Sequence, residues 1–337
     1  MLSIQSSIGP AMIKVSRAFV KAKFSSLMAA KLLMSVTMFI STPHAHADWR
    51  KEMGVFRIGI ATQNGQSFNA EALDAFRSEI SAALAMPVEI FQARNTSALI
   101  DAAASSRLEY AILSALGFVT LDLTCDCAMP IAAPTSAEGA TAVRSVLYVN
   151  SDKVTSLQEL TGKRLAVGSD NSLTGSILPF AQFSLNGAGL READIELVRV
   201  ASIEQAVEAL AAGSVDGFFG WDQFSPKSSV EFESSLSKKL ESYSDLSTET
   251  VWVSEPIRFG PHIIHKSVPA EAAKSLKEVL VSLDQVAPLA YRTISPDLSG
   301  GLKPVTAQDY ISAFSLIRSI SRDTNVEQTE SDISVAQ

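Results

Sequence analysis

The sequence predicts an α/β fold of two similar lobes that close like a clamshell, and three observations predict it. Short apolar runs alternate with helix-length segments, the signature of βαβ units building a parallel sheet. The same order of segments occurs twice, at a constant offset of 107 positions (Arg57 to Arg164). The chain has 337 residues, enough for two lobes with a core each.

In the first pass, Val55 to Ile60 (VFRIGI) reads as a strand, Asn69 to Leu84 as a helix and Val88 to Phe91 as a second strand. Asn95 caps a helix from Thr96 to about Ser105, and Tyr110 to Leu113 is a third strand. In the second pass, Arg164 to Val167 is a strand and Ser176 to Leu185 a helix kinked or shortened by Pro179. Ile195 to Val200 is a strand, Ser202 with Gln205 is a capping box for a helix closed by Gly213, and Val215 to Gly220 is a strand. RIGIATQN at Arg57 overlays RLAVGSDN at Arg164, EIFQARN at Glu89 overlays ELVRVAS at Glu196, and LEYAIL at Leu108 overlays VDGFFG at Val215.

Arg144 to Asn150 is a strand that carries the chain into the second lobe. After a Ser-rich stretch, Thr250 to Ser254 carries it back. Helices near Ala270 to Leu283 and Ala307 to Ile320 complete the first lobe. The boundaries expected are 48–145 plus 256–321 for lobe 1, 146–255 for lobe 2 and a polar, disordered tail over 322–337.

Ahead of Asp48, residues 1–47 contain five basic and no acidic residues, then an apolar run Leu32 to Ile40 and the small-x-small site Ala45-His46-Ala47. This is the order of a secretory signal peptide, with Met28 as a second candidate start. The apolar run is short for a membrane span, and no cysteine follows it to accept a lipid. Removing it leaves 28 − 5 = 23 basic against 36 acidic residues, a net charge of −13. Such a chain is ill suited to nucleic acid or an anionic membrane. Cys125 and Cys127 stand in CDC spacing; export permits a disulfide, but the ring is small, and Asp126 adds too little for a metal site.

Candidate binding residues lie where the strands of open α/β sheets end. The stretch LAVGSDNSLTGSILP (Leu165 to Pro179) is strand, hydroxyl-rich loop and helix start. Ser169, Ser172, Thr174 and Gly175 can present hydroxyls and free N–H groups to an anion, or Ser172 can simply cap the helix. Thr62 and Asn64 after the first strand and Ser114 after the third face Ser172 and Asp222 across the cleft. Ser202 begins the next helix as either a cap or a contact. Arg258 offers a bidentate fork to an oxyanion, or is a solvated hinge arginine. Trp252 on the return strand is either the cleft floor or a packed hinge aromatic, and His262 is a packed residue rather than a ligand.

The run SLQELTGKRLAVGSDNSLTGSILP, then VASIEQAVEALAAGSVDGFF and SEPIRFGPHIIHKSVP, resembles the periplasmic substrate-binding proteins of ABC transporters for phosphate, phosphite and phosphonate, which are type 2 periplasmic binding proteins. The likeness runs from about Val55 to Leu283. It implies a clamshell, a small anionic ligand, an inner-membrane permease as partner, a periplasmic location, and neither cofactor nor metal; a monomer is expected. CDCAMPIAAPTSAEGATAVRSVLYV is similar to a subgroup with a cysteine pair before the crossover strand. The family's Ser-Thr-Ser-Gly loop falls on Ser172, Leu173, Thr174 and Gly175. Its anion-touching histidine falls on Ile203, and an acidic residue after the return strand falls on Gly260. Three polar partners are thus replaced, and Arg258 is the candidate substitute.

An enzyme on this scaffold is the opposing reading. The sequence has no Gly-x-Ser-x-Gly elbow and no phosphate-binding Gly-x4-Gly-Lys loop, and Ser172 could serve as nucleophile only if His262 reached it. A ligand sensor for a membrane signalling partner is the third reading.

Overall fold

In a computed structural model, the described residues are 48–62, 67–225, 236, 240, 243 and 246–322. The expected signal peptide and all but Arg322 of the expected tail lie outside them, and Arg322 ends a helix over 311–322.

The chain builds β1 (Phe56–Ala61), β2 (Val88–Ala93), β3 (Tyr110–Ile112) and β4 (Ala128–Pro134), then the long β5 (Ala142–Asn150) and β6 (Lys163–Val167). A separate hairpin, β7 (Ser184–Leu185) and β8 (Ala188–Gly189), precedes β9 (Ile195–Arg199), β10 (Gly217–Phe224), β11 (Thr248–Val253) and β12 (Ile257–Arg258). The last strands are β13 (His262–His265) and β14 (Leu302–Pro304). One six-stranded sheet runs β14-β4-β13-β3-β1-β2; the other runs β11-β5-β10-β6-β9, with β12 also against β5.

The two sheets share a motif. β3-β1-β2 are parallel neighbours in the first sheet and β10-β6-β9 in the second, at the same 107-residue offset. The helices Thr96–Ala104 and Ile203–Ala211 keep that offset, each capped by the preceding side chain: Asn95 accepts from the Ala98 N–H and Ser202 from the Gln205 N–H. Gln205 reaches back to the Ala201 N–H rather than to that of Ser202.

Each sheet is buried on both faces, as its near-continuous apolar strands require. Phe56, Ile58 and Ile60 of β1 face the helices Ala70–Leu84 and Ala270–Val286. Ala111 and Leu113 belong to the cluster formed with the helices Thr96–Ala104 and Ala115–Cys125 and with Leu316. In the second sheet, Ala166 and Phe218 pack with Val207 and Leu210, while Leu165, Val167 and Phe219 pack with Phe183. The chain passes between sheets through 135–141 and 259–261. Cys125 ends a helix, Asp126 takes a left-handed conformation, and Cys127 is thereby turned back to form a disulfide with Cys125.

One helix departs from expectation. Instead of Ser176 to Leu185, a single π-turn over Leu173–Ile177 leads into a helix over Leu178–Gln182, and Ser184–Leu185 is strand. Pro179 is the cause. It lacks the N–H that would bond the Gly175 carbonyl, and that carbonyl accepts instead from the Gly168 N–H at 2.9 Å.

Candidate functional site

The Gly168–Gly175 bond closes the hydroxyl-rich loop into a tight ring beyond the end of β6. Its two glycines are required by close approach: a Cβ on Gly175 would lie 2.9 Å from Ser172 Oγ and 3.3 Å from Gly168 Cα. Ser172 caps the π-turn, its Oγ accepting from the Gly175 N–H at 3.1 Å, so its own proton remains available to an acceptor. The loop is fastened to the interlobe strand β5, where the buried Ser145 hydroxyl donates to the Thr174 carbonyl at 2.6 Å.

A cavity of about 190 Å³ opens against this loop. Its polar wall is Ser169, Ser172, Thr174 and Ser202 with Gly168 and Gly175; its apolar wall includes Val200, Ile203, Ala206, Phe219 and Trp221. Five sequence-predicted residues (Ser169, Ser172, Thr174, Gly175 and Ser202) therefore meet in one pocket. Ser202, like Ser172, spends its acceptor on a helix N–H and keeps a donor. Ser169 donates to Asn171 Oδ1 at 2.8 Å. Among the described residues, no charged side chain lines the cavity.

The other expected residues are placed elsewhere. Expected beside the ligand, Asp222 does not line the cavity: it takes the face of β10 that carries Phe218, where Arg144 Nη2 donates to its Oδ2 at 2.8 Å. Arg258 pairs in register with Ala142, two residues before Arg144, so it shares that face; its Nη1 lies 3.7 Å from Asp309 Oδ1. Arg258 does not line this cavity, and its side chain is mostly buried. Thr62 donates to the Arg94 carbonyl at 3.0 Å, and Ser114 caps the helix Ala115–Cys125 by accepting from the Gly117 N–H. Neither lines this cavity, and Asn64 lies outside the described residues.

The departures at Leu173 and Gly260 have steric reasons. Leu173 packs against the apolar cluster that joins Leu178 to Leu113, just after β3, and to Phe118 of the helix Ala115–Cys125. At Gly260 an added Cβ would run into the Leu113 carbonyl and Ser114 Cα, so the position has no room for an acidic side chain. Ile203 does line the cavity. Trp252 packs edge-on against Phe183 and Phe219 and does not line the cavity.

His262 is 1 % exposed on β13 and its Nδ1 bonds the buried Tyr110 hydroxyl. Burial lowers its pKa from 6.5 to about 3 and raises that of Tyr110. A neutral imidazole committed to Tyr110 in the first sheet is no base for Ser172. Phe219 and Trp221 were the residues that sequence reasoning missed; their i, i+2 spacing at the end of a parallel strand was the available signal.

The family model for the phosphonate periplasmic substrate-binding protein of ABC transporters matches residues 58–310. No curated protein matches the sequence. Among solved structures, XAC2383 from Xanthomonas citri bound to ATP is similar at 15% identity with a TM-score of 0.58, covering 81% of this chain and 98% of that one. PhnD1 from Prochlorococcus marinus in complex with methylphosphonate is similar at 17% identity with a TM-score of 0.52, covering 80% and 98%. These two likenesses show the two-lobed type 2 binding-protein fold. With three quarters of its length matched by the family model and its hydroxyl loop and paired sheets arranged as that fold requires, the chain belongs to the family of periplasmic substrate-binding proteins of phosphonate-type ABC transporters.

Proposed function

We propose that this protein is exported by its N-terminal signal, captures a small anionic solute between its lobes as a monomer, and hands it to an inner-membrane permease without chemical change. The observation that carries this reading is the cavity at the Gly168–Gly175 ring, because the ring is tied to an interlobe strand through Ser145. A solute held there by Ser172, Thr174 and Ser202 presses on the element about which the lobes move, so binding biases open against closed. Ser169 and Gly175 complete the second-lobe contact. Thr62 and Ser114 are proposed to approach the solute from the first lobe, at the carboxyl ends of β1 and β3. Asp222 and Arg258 are taken as hinge residues.

Calorimetric titration of the exported chain with phosphate, phosphonates, sulfonates and small carboxylates tests the reading. One of them is expected to bind, and Thr174→Ala to weaken it about tenfold, the value of one net hydrogen bond to a charged group. Unchanged affinity in that variant removes the site. Among the described residues no helix is long and apolar enough to cross a membrane.

A further inference from the structure

The cavity has two chemically different walls, and the difference constrains its occupant more narrowly than "small anion". Resting on the site proposed above, we infer that the solute is an organic oxyacid with a ring-sized apolar substituent.

The polar wall supplies neutral donors only. The closest cationic side chain along β9, Arg199, is already engaged: its Nη1 donates to the Gly168 carbonyl at 2.7 Å and its Nη2 pairs with Asp170. The guanidinium groups of Arg144 and Arg258 do not line the cavity and are paired with Asp222 and Asp309. Hydroxyls and loop N–H groups can hold the oxygens of an acidic head group without a cationic partner.

The opposite wall cannot hydrogen-bond an oxygen. Ile203, Phe219 and Trp221 offer aliphatic and aromatic surface, and Ala206 leaves space in front of it. A tetrahedral inorganic anion would leave that wall facing water. An aryl or branched alkyl group covers it, and a cavity of about 150 Å³ is enough for a benzene ring. The 190 Å³ available holds such a ring, with its acidic group reaching the hydroxyls at the open end.

Titration of the exported chain with phenylmethanesulfonate, methanesulfonate, methylphosphonate and inorganic phosphate tests the inference. Phenylmethanesulfonate is expected to bind about 10- to 100-fold more tightly than methanesulfonate, the range for burying one large apolar group, and inorganic phosphate most weakly. Its binding should change the fluorescence of Trp221, a change absent in Trp221→Phe. Ile203→Arg, which adds a cation to the apolar wall, should reverse the order of phenylmethanesulfonate and phosphate. Phosphate or methanesulfonate binding as tightly as the aryl compound overturns this inference and leaves the proposed transport function standing. Failure of all four anions and of the carboxylates in the titration above to bind a folded chain, shown by circular dichroism, overturns both.

Discussion

The two βαβ repeats hold different residues at three equivalent core positions. In the first lobe a Cβ on Gly59 would collide with the ends of Leu99 and Leu108. At the offset of 107, the second lobe has Ala166, Ala206 and Val215. One lobe joins a residue without a side chain to two large ones; the other joins three small residues. Leu99 is fully buried in its cluster, whereas Ala206 lines the cavity. At the position where the first lobe buries Leu99, the second lobe carries only a methyl group, Ala206, beside its cavity.

That comparison can be broken directly. Ala206→Leu places in the second lobe what Leu99 supplies in the first, and should fill the cavity. Solute affinity is expected to fall at least about 100-fold, while stability stays level or rises by about 0.5–2 kcal/mol, as cavity-filling changes do. Calorimetry and chemical denaturation on one preparation read both. Retained affinity would show that the solute sits elsewhere.

The converse change tests the filled half. Gly59→Ala should destabilise by about 1–3 kcal/mol through overpacking. Adding Leu108→Val, which moves the site toward the second-lobe set, should cost less than the sum of the two single changes. Urea denaturation of the three variants measures the coupling, and strict additivity would mean that the two side chains do not share that space.

The lobes also differ in acid response. After the signal region, the histidines are His262 and His265, both on β13 of the first sheet. His262 binds no proton in the folded state until about pH 3, but takes one at its ordinary value of 6.5 when unfolded. The unfolded state therefore holds more protons between these values, and stability falls as pH drops below 6.5, by at most about 1.4 kcal/mol per pH unit. His262→Gln, which can still hydrogen-bond Tyr110, should flatten that part of the profile. Denaturation midpoints at pH 7, 6, 5 and 4 check it; parallel profiles would assign the acid sensitivity to other groups.

The smallest effect separates capping from binding. Asn95 and Ser202 are equivalent caps, and each replaced by Ala should cost about 1 kcal/mol of stability. Only Ser202→Ala is expected also to weaken solute binding, by a few-fold, because its free hydroxyl proton faces the cavity. Equal affinities in the two variants would leave Ser202 a cap alone.

The sequence by itself determined the strands, the caps and the duplicated order, because these rest on local properties. Apolar runs and side-chain acceptors such as Asn95, Ser172 and Ser202 act within a few residues of their own positions. It also brought five pocket residues to one loop and one helix start, since both follow parallel strands. The tertiary structure alone decided the rest. Whether Pro179 kinks a helix or hands the Gly175 carbonyl to Gly168 depends on a partner seven residues before that carbonyl. Whether Arg258 meets a solute or Asp309 depends on the face that β5 gives it. The apolar wall of Ile203, Phe219 and Trp221 exists only where β10 packs back against the helix that precedes it. Pairings across such separations are fixed by packing and register, which no local pattern encodes.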